Sequence, residues 1–206
     1  LDILNRAYTN FLRSGNEDLK QRFQVFIEKE QDWLDDYGLF MTIKSERGGA
    51  SWLTWPKELK AKNKSLLLQI SEKLADQIRL EKFKQFLFFD QWQALHAYAK
   101  NRGITIIGDM PFVISMDSAD VWSNPELFLM DADIQPTFVA GVPPDYFSTT
   151  GELWGNPLYR WEAHQAQEFS WWKRRLAATL KLVDLVRLDH FRGFAAAWHV
   201  PAGNET

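Results

Sequence analysis

The pattern that most narrows the fold occurs twice: a helical stretch, a short apolar run rich in β-branched residues, then an acidic residue where the run stops. The first run, Ile104-Thr105-Ile106-Ile107, stops at Gly108-Asp109. It follows Lys100-Asn101-Arg102-Gly103, basic residues and then a glycine suited to a left-handed helix cap. The second run, Leu182-Val183-Asp184-Leu185-Val186-Arg187-Leu188, stops at Asp189-His190. It follows a predicted helix over about 166–180 that places Trp172, Leu176 and Leu180 on one face. Alternation of this kind predicts βα units in a parallel sheet or barrel. Polar residues at the C-terminal ends of barrel strands line active sites. Asp109 and Asp189 hold that position on successive strands, so both carboxylates are expected on one rim.

Residues 1–103 read mainly as helix and residues 104–206 as the βα part. An acidic start at Asn16, Glu17 and Asp18 precedes Phe23, Phe26, Ile27, Trp33 and Leu34 at near-helical spacing. Gly48-Gly49-Ala50-Ser51 and the Trp55-Pro56 step read as loop. Helix resumes from about Ser65, with Phe83, Phe86, Leu87, Trp92 and Leu95 as its later apolar face. From Asp117 to Pro157 the chain is rich in Pro, Gly, Asp and Trp and has little periodicity. A structureless stretch of roughly forty residues is more often a functional lid than filler.

Composition removes several functions. A net charge of −3 gives no basic field for nucleic acid or anionic lipid. With no cysteine there are no disulfides and no thiolate metal sites, and no His/Asp/Glu cluster supports another metal site. No apolar stretch is long enough to span a bilayer and no signal-peptide pattern opens the chain, so a cytoplasmic setting is expected, or a plastid one if the source is a plant. Ten tryptophans among 206 residues is a high number, and several stand beside Gly, Pro, Asn or Ser. Such rings either stack on the apolar faces of sugars or fill a core, and both readings stand. The start at Leu1 without a methionine and the polar Gly203-Asn204-Glu205-Thr206 tail read as cut ends.

On a strand, residues two apart point the same way, so Arg187 and Asp189 should share a face. A guanidinium that close keeps a carboxylate ionised, which suits an anionic nucleophile; a structural ion pair at a strand end is the other reading. His190, next in sequence, is expected on the opposite face. Asp117, Asp120 and Asp145 read as helix-cap or turn residues, and His164 and His199 have no evident partner.

Four blocks in order carry a resemblance. They are Gly108-Asp109-Met110-Pro111; Asp117-Ser118-Ala119-Asp120-Val121-Trp122 with Asn124-Pro125; Val142-Pro143-Pro144-Asp145-Tyr146-Phe147-Ser148 with Gly151 and Leu153 through Tyr159; and Val186 through Phe194. From Gly108 to Pro201 the chain resembles the 4-α-glucanotransferases (amylomaltases) of glycoside hydrolase family 77, in the α-amylase clan. The resemblance implies part of a (β/α)8 TIM barrel with helical insertions, continuing beyond residue 206. It implies an enzyme that moves a segment of an α-1,4-glucan to the 4-hydroxyl of an acceptor by a retaining double displacement. Asp189 would be the nucleophile and Arg187 the residue that orients and ionises it. Asp109, Tyr146, Phe147, Trp154, Asn156 and His190 would contact the glucan, with 142–157 as a lid. Maltooligosaccharides and starch- or glycogen-derived glucans would be the partners, with no cofactor.

The family's acid/base glutamate and third carboxylate belong to later strands. Glu205 sits in a terminal loop and is not assigned that role. Residues 1–206 alone are therefore expected not to catalyse transfer, and Glu152 would be the first substitute to test. An α-amylase-type hydrolase and a noncatalytic glucan-binding module are the alternatives.

Overall fold

A computed structural model describes residues 2–146 and 148–204. They form two units, Leu1–Ala94 and Leu95–Thr206.

The first unit is helical: α1 (Asp2–Arg13), α2 (Glu17–Glu46), α3 (Lys57–Lys60), α4 (Lys64–Lys73) and the start of α5 (Ala75–Lys100). Local chemistry sets the boundaries. The Asn16 side chain accepts from the Leu19 amide at 3.0 Å and Asn63 accepts from the Leu66 amide at 3.1 Å. Such N-caps contribute about 1 kcal/mol each. Glu17 and Asp18 in the first turn of α2 complement its dipole. Tyr8, Phe11, Phe23, Phe83 and Phe86 form the buried core, with Phe26, Ile27 and Leu87 packed against it. Phe23, Phe26, Ile27, Phe83, Phe86 and Leu87 belong to the faces read from the 3.6-residue period, whereas Tyr8 and Phe11 of α1 were not among them and Leu95, read with them, is exposed.

The second unit begins with the end of α5, closed at Gly103 with a φ of 71°, the left-handed cap expected there. Strand β1 (Ile107–Met110) pairs in parallel with β4 (Leu185–Leu188), in the register Asp109 opposite Arg187. Both strands start later than the apolar runs suggested. The Asp184 carboxylate accepts from the Ile106 amide at 2.9 Å and pairs with His96 Nε2 at 3.0 Å. A side chain thus takes the first hydrogen bond that the ladder would have made. The Ile106 and His96 contacts hold Asp184 below the usual carboxylate range.

The stretch from Asp117 to Pro157 is more ordered than its composition suggested. It contains α6 (Ala119–Ser123), a 3₁₀ turn at Pro125–Leu127, β2 (Phe138–Val142) and β3 (Glu152–Pro157). Elements of three to six residues are too short to show a period. A three-stranded antiparallel sheet has the order β3-β2-β5, with β5 at Trp198–Pro201. The helix expected over about 166–180 is α8 (Ser170–Leu180), which starts later because Glu168 and Phe169 take positive φ and set it off from a separate short helix, α7 (Trp161–Ala166). Leu180 is exposed, and α8 instead buries the adjacent pair Trp171 and Trp172, perpendicular to each other at 5.1 Å. These pack with Phe112, Phe128, Tyr159 and His164 into an aromatic core.

Burial separates the two readings of the tryptophans. Trp52, Trp55, Trp122, Trp171 and Trp172 fill cores, whereas Trp154 and Trp198 are exposed. No closed barrel is present among the described residues. None of their helices is long and apolar enough to cross a membrane.

Candidate active site

The parallel pair β1 and β4 brings three charged side chains together. Asp109 and Arg187 face each other across the ladder, and the guanidinium grips Asp109 through Nε at 3.2 Å and through Nη2 in a closer contact. Arg187 Nη2 also stands 3.6 Å from Asp189 Oδ1. The arginine's hydrogen-bonding partner is therefore Asp109, and Asp189 lies at electrostatic distance from the same cation. Hydrogen bonding by Arg187 holds the Asp109 carboxyl below its ordinary range, and Asp109 in turn raises Arg187. Asp189 remains tied to the neighbouring strand, since its amide donates to the Met110 carbonyl at 3.2 Å. The two strand-end carboxylates thus share one rim.

His190 departs from the expected alternation. The strand ends at Leu188, and His190 adopts a left-handed conformation with φ 45° and ψ 45° before a 3₁₀ turn at Phe191–Phe194. The period of two stops where the ladder stops. His190 Nε2 consequently comes to 3.4 Å from Asp189 Oδ2 rather than facing away. A non-glycine residue at positive φ costs about 1–3 kcal/mol and persists only where its surroundings enforce it. Here the carbonyl of His190 accepts from the Gly193 amide at 2.8 Å. Its ring meets Trp154 at 5.0 Å between centroids.

Trp154 comes from β3, and its indole Nε1 donates to Glu152 Oε2 at 2.9 Å. A cleft of about 720 Å³ opens beside it, lined by Pro111, Val113, Ser115, Asp117, Asn156 and Arg175 among others. Asn156 Nδ2 donates to the Ile114 carbonyl at 2.6 Å and so ties β3 to the cleft wall. The segment expected as a loop over 142–157 is a hairpin whose second half is a paired strand. Tyr146 at its tip is almost wholly exposed, and Phe147 lies outside the described residues. Asp145 is a turn residue, accepting from the Ser148 amide at 2.8 Å. Ser118, not Asp117, caps α6. His164 is fully buried and its Nε2 meets the Leu127 carbonyl at 3.1 Å, whereas His199 lies against Phe138. No group of His, Cys, Asp and Glu able to hold a metal occurs among the described residues.

Arg175 and the Tyr159 hydroxyl, neither of which the sequence reading assigned to the site, both engage the backbone just after β1. Arg175 sits in the basic run Lys173-Arg174-Arg175, which reads as a solvated helix face.

Comparison with known proteins agrees with this architecture. The family profile described as 4-alpha-glucanotransferase, glycoside hydrolase family 77, matches residues 1–206, and the chain belongs to that family. It is 49% identical over 205 residues to the 4-alpha-glucanotransferase of Aquifex aeolicus, covering 100% of this chain and 41% of the relative. Identity to the chloroplastic/amyloplastic 4-alpha-glucanotransferase of Oryza sativa subsp. japonica is 48% over 202 residues, 97% of this chain and 34% of the relative. The solved amylomaltase from Streptococcus agalactiae in complex with acarbose matches with a TM-score of 0.94 and 38% identity, covering 100% of this chain and 41% of that one. The chain thus spans about two fifths or less of the length of these relatives.

Proposed function

We propose that this chain is the nucleophile-bearing part of a 4-α-glucanotransferase, with β1 and β4 as two strands of a (β/α)8 barrel. The observation that carries the reading is Asp189 at the end of β4, backbone-tied to β1 and flanked by Arg187 and His190. In the first half-reaction a carboxylate oxygen of Asp189 bonds to the anomeric carbon, and the bond from that carbon to the leaving glucan's O4 breaks. O4 takes a proton from a general acid. In the second half, the acceptor's 4-hydroxyl loses its proton to the same group and displaces Asp189. Retaining enzymes need these two carboxyl groups about 5–5.5 Å apart.

Asp109 does not suit the acid's role, because Arg187 keeps it ionised. It fits better as a fixed anion that binds sugar hydroxyls. A glutamate from a further strand would supply the proton. Trp154, Tyr146, Phe147, Asn156 and His190 would hold the glucan, with the 142–157 hairpin excluding water so that a sugar hydroxyl takes the intermediate. The substrates would be maltooligosaccharides and other α-1,4-glucans, in a cytoplasmic or, for a plant source, plastid setting. The likeness to an amylomaltase solved in complex with acarbose supports a glucan-shaped site.

The test is Asp189→Asn in the full-length protein, followed by glucose release from maltotriose at matched folded concentration. A nearly isosteric amide cannot act as an anionic nucleophile, so a loss of about 10⁴-fold or more is expected. Retention of more than about a tenth of the activity removes Asp189 from the role.

A further inference from the structure

We propose that Arg175, on α8, is a positioning residue that fixes the loop after β1 against the turn after β4, and with them the spacing of Asp109 and Asp189. The proposal rests on the reading of Asp189 as nucleophile.

The need arises from the backbone. After Met110 the chain leaves the ladder, and the carbonyls of Pro111 and Phe112 lose any strand partner. Arg175 supplies one: Nη2 donates to Pro111 O at 2.7 Å and Nη1 to Phe112 O at 3.3 Å. Nη1 also lies 3.4 Å from the Tyr159 hydroxyl, which itself donates to Phe112 O at 2.6 Å. The guanidinium is in turn held over Trp171 and Trp172, at 5.4 and 5.2 Å from their ring centroids. Both tryptophans and Tyr159 are buried, so the donors have little freedom to follow a shifted loop.

Phe112 carries the constraint to the other strand end. Its ring packs edge-on against Phe194 at 5.0 Å and fills the space where a side chain at Gly193 would sit. Gly193 belongs to the 3₁₀ turn that follows Asp189 and His190. Asp109 stands two residues before Pro111 on the near side of the same contact. One fork on α8 therefore anchors both carboxylate-bearing segments. Lysine cannot replace it, because an ammonium is a point charge without the planar array that meets the Pro111 and Phe112 carbonyls and the Tyr159 oxygen together.

The experiment uses the full-length protein with Arg175→Lys and Tyr159→Phe, and α-maltosyl fluoride as donor. Fluoride departs without protonation, so turnover reports alignment of the nucleophile rather than supply of the acid. For Arg175→Lys, kcat should fall by about 10²-fold with KM little changed, since a misplacement near 1 Å costs that much. Tyr159→Phe keeps the ring and removes one donor, so a smaller fall in kcat with full folding is expected. It decides the matter if the lysine variant does not fold. Values of kcat within about twofold of the unmodified enzyme in the folded variants, or equal loss in kcat and gain in KM, overturn the positioning role. Asp189→Asn is run alongside: if it still turns over the fluoride, the nucleophile reading fails instead.

Discussion

Gly193→Ala offers a direct measure of how tightly the two strand ends are packed. A Cβ added to Gly193 would stand 2.5, 2.6 and 2.9 Å from Cδ1, Cε1 and Cγ of Phe112. Real carbon atoms do not approach so closely, so either the ring or the turn must move. The ring has little room to do so. It is 4% exposed, edge-on to Tyr159 at 5.2 Å and to Phe194 at 5.0 Å, and stacked on Trp172 at 6.1 Å. Forcing one methyl group into such a core costs about 1–3 kcal/mol. For the 206 residues taken by themselves each kcal/mol lowers the unfolding midpoint by roughly 2–4 °C, so a fall of several degrees is expected. Gly15→Ala is the internal control: nothing lies within 4 Å of its added Cβ, and its φ is not in the left-handed region. That variant should be unchanged or slightly more stable, by up to about 1 kcal/mol, through a less flexible unfolded chain. Thermal unfolding followed by circular dichroism gives both numbers from one set of scans. A Gly193→Ala midpoint within about one degree of the unmodified protein would refute the packing argument, because a conserved midpoint means that the turn yields freely.

Trp154→Ala should lower transfer more than hydrolysis, by roughly threefold or more in the product ratio from one maltooligosaccharide, if the hairpin shields the intermediate from water. An unaltered ratio would mean that the indole, held by Glu152 and set against His190, only packs. His164 should make stability depend on pH. Burial depresses its folded pKa, opposed by its hydrogen bond to Leu127 and by Glu126. The unfolded chain then binds the extra proton first, so stability is complete above about pH 6.5 and falls as pH drops below it, by at most about 1.4 kcal/mol per unit. Denaturant unfolding of His164→Gln should lose this part of the slope, and an unchanged slope between about pH 7 and 5.5 would assign it to other groups.

The two strands were more legible than the contacts that brace them. The run from Leu182 to Leu188 announced a strand that stops at a carboxylate, and the parallel pairing with β1 follows from helix–strand alternation, but the turn at Phe191–Phe194 had no such signal. Asn16 and Gly103 marked helix ends because caps are local chemistry. What escaped were contacts with no local signal. Asp184 reads as one polar residue in an apolar run, yet it takes the Ile106 amide from a segment 78 residues away and thereby delays the strand. His190 escapes the period of two because it lies two residues past Leu188, where the ladder ends. Arg175 looks like a surface cation until the carbonyls of Pro111 and Phe112, more than sixty residues earlier, are brought under it. Leu95 and Leu180 fit a helical period and are nonetheless exposed, since periodicity names a face without saying what covers it.

The geometry around Arg187 separates the duties of two like carboxylates. Asp109 is engaged on both oxygens by one guanidinium, which fixes it as an anion and leaves it less able to act as base or nucleophile. Asp189 has a different environment, with Arg187 at 3.6 Å from one oxygen and His190 at 3.4 Å from the other. Charge-assisted hydrogen bonds run at about 2.7–2.9 Å, so neither neighbour binds it tightly. A nucleophile wants this compromise: enough positive potential nearby to orient it, without a short hydrogen bond to occupy the lone pair that must attack. On the reading proposed above, the firm grip on Asp109 is what allows the loose one on Asp189. A guanidinium committed to the first carboxylate is held too far from the second to quench it, and a shift of Asp109 would release the cation onto Asp189.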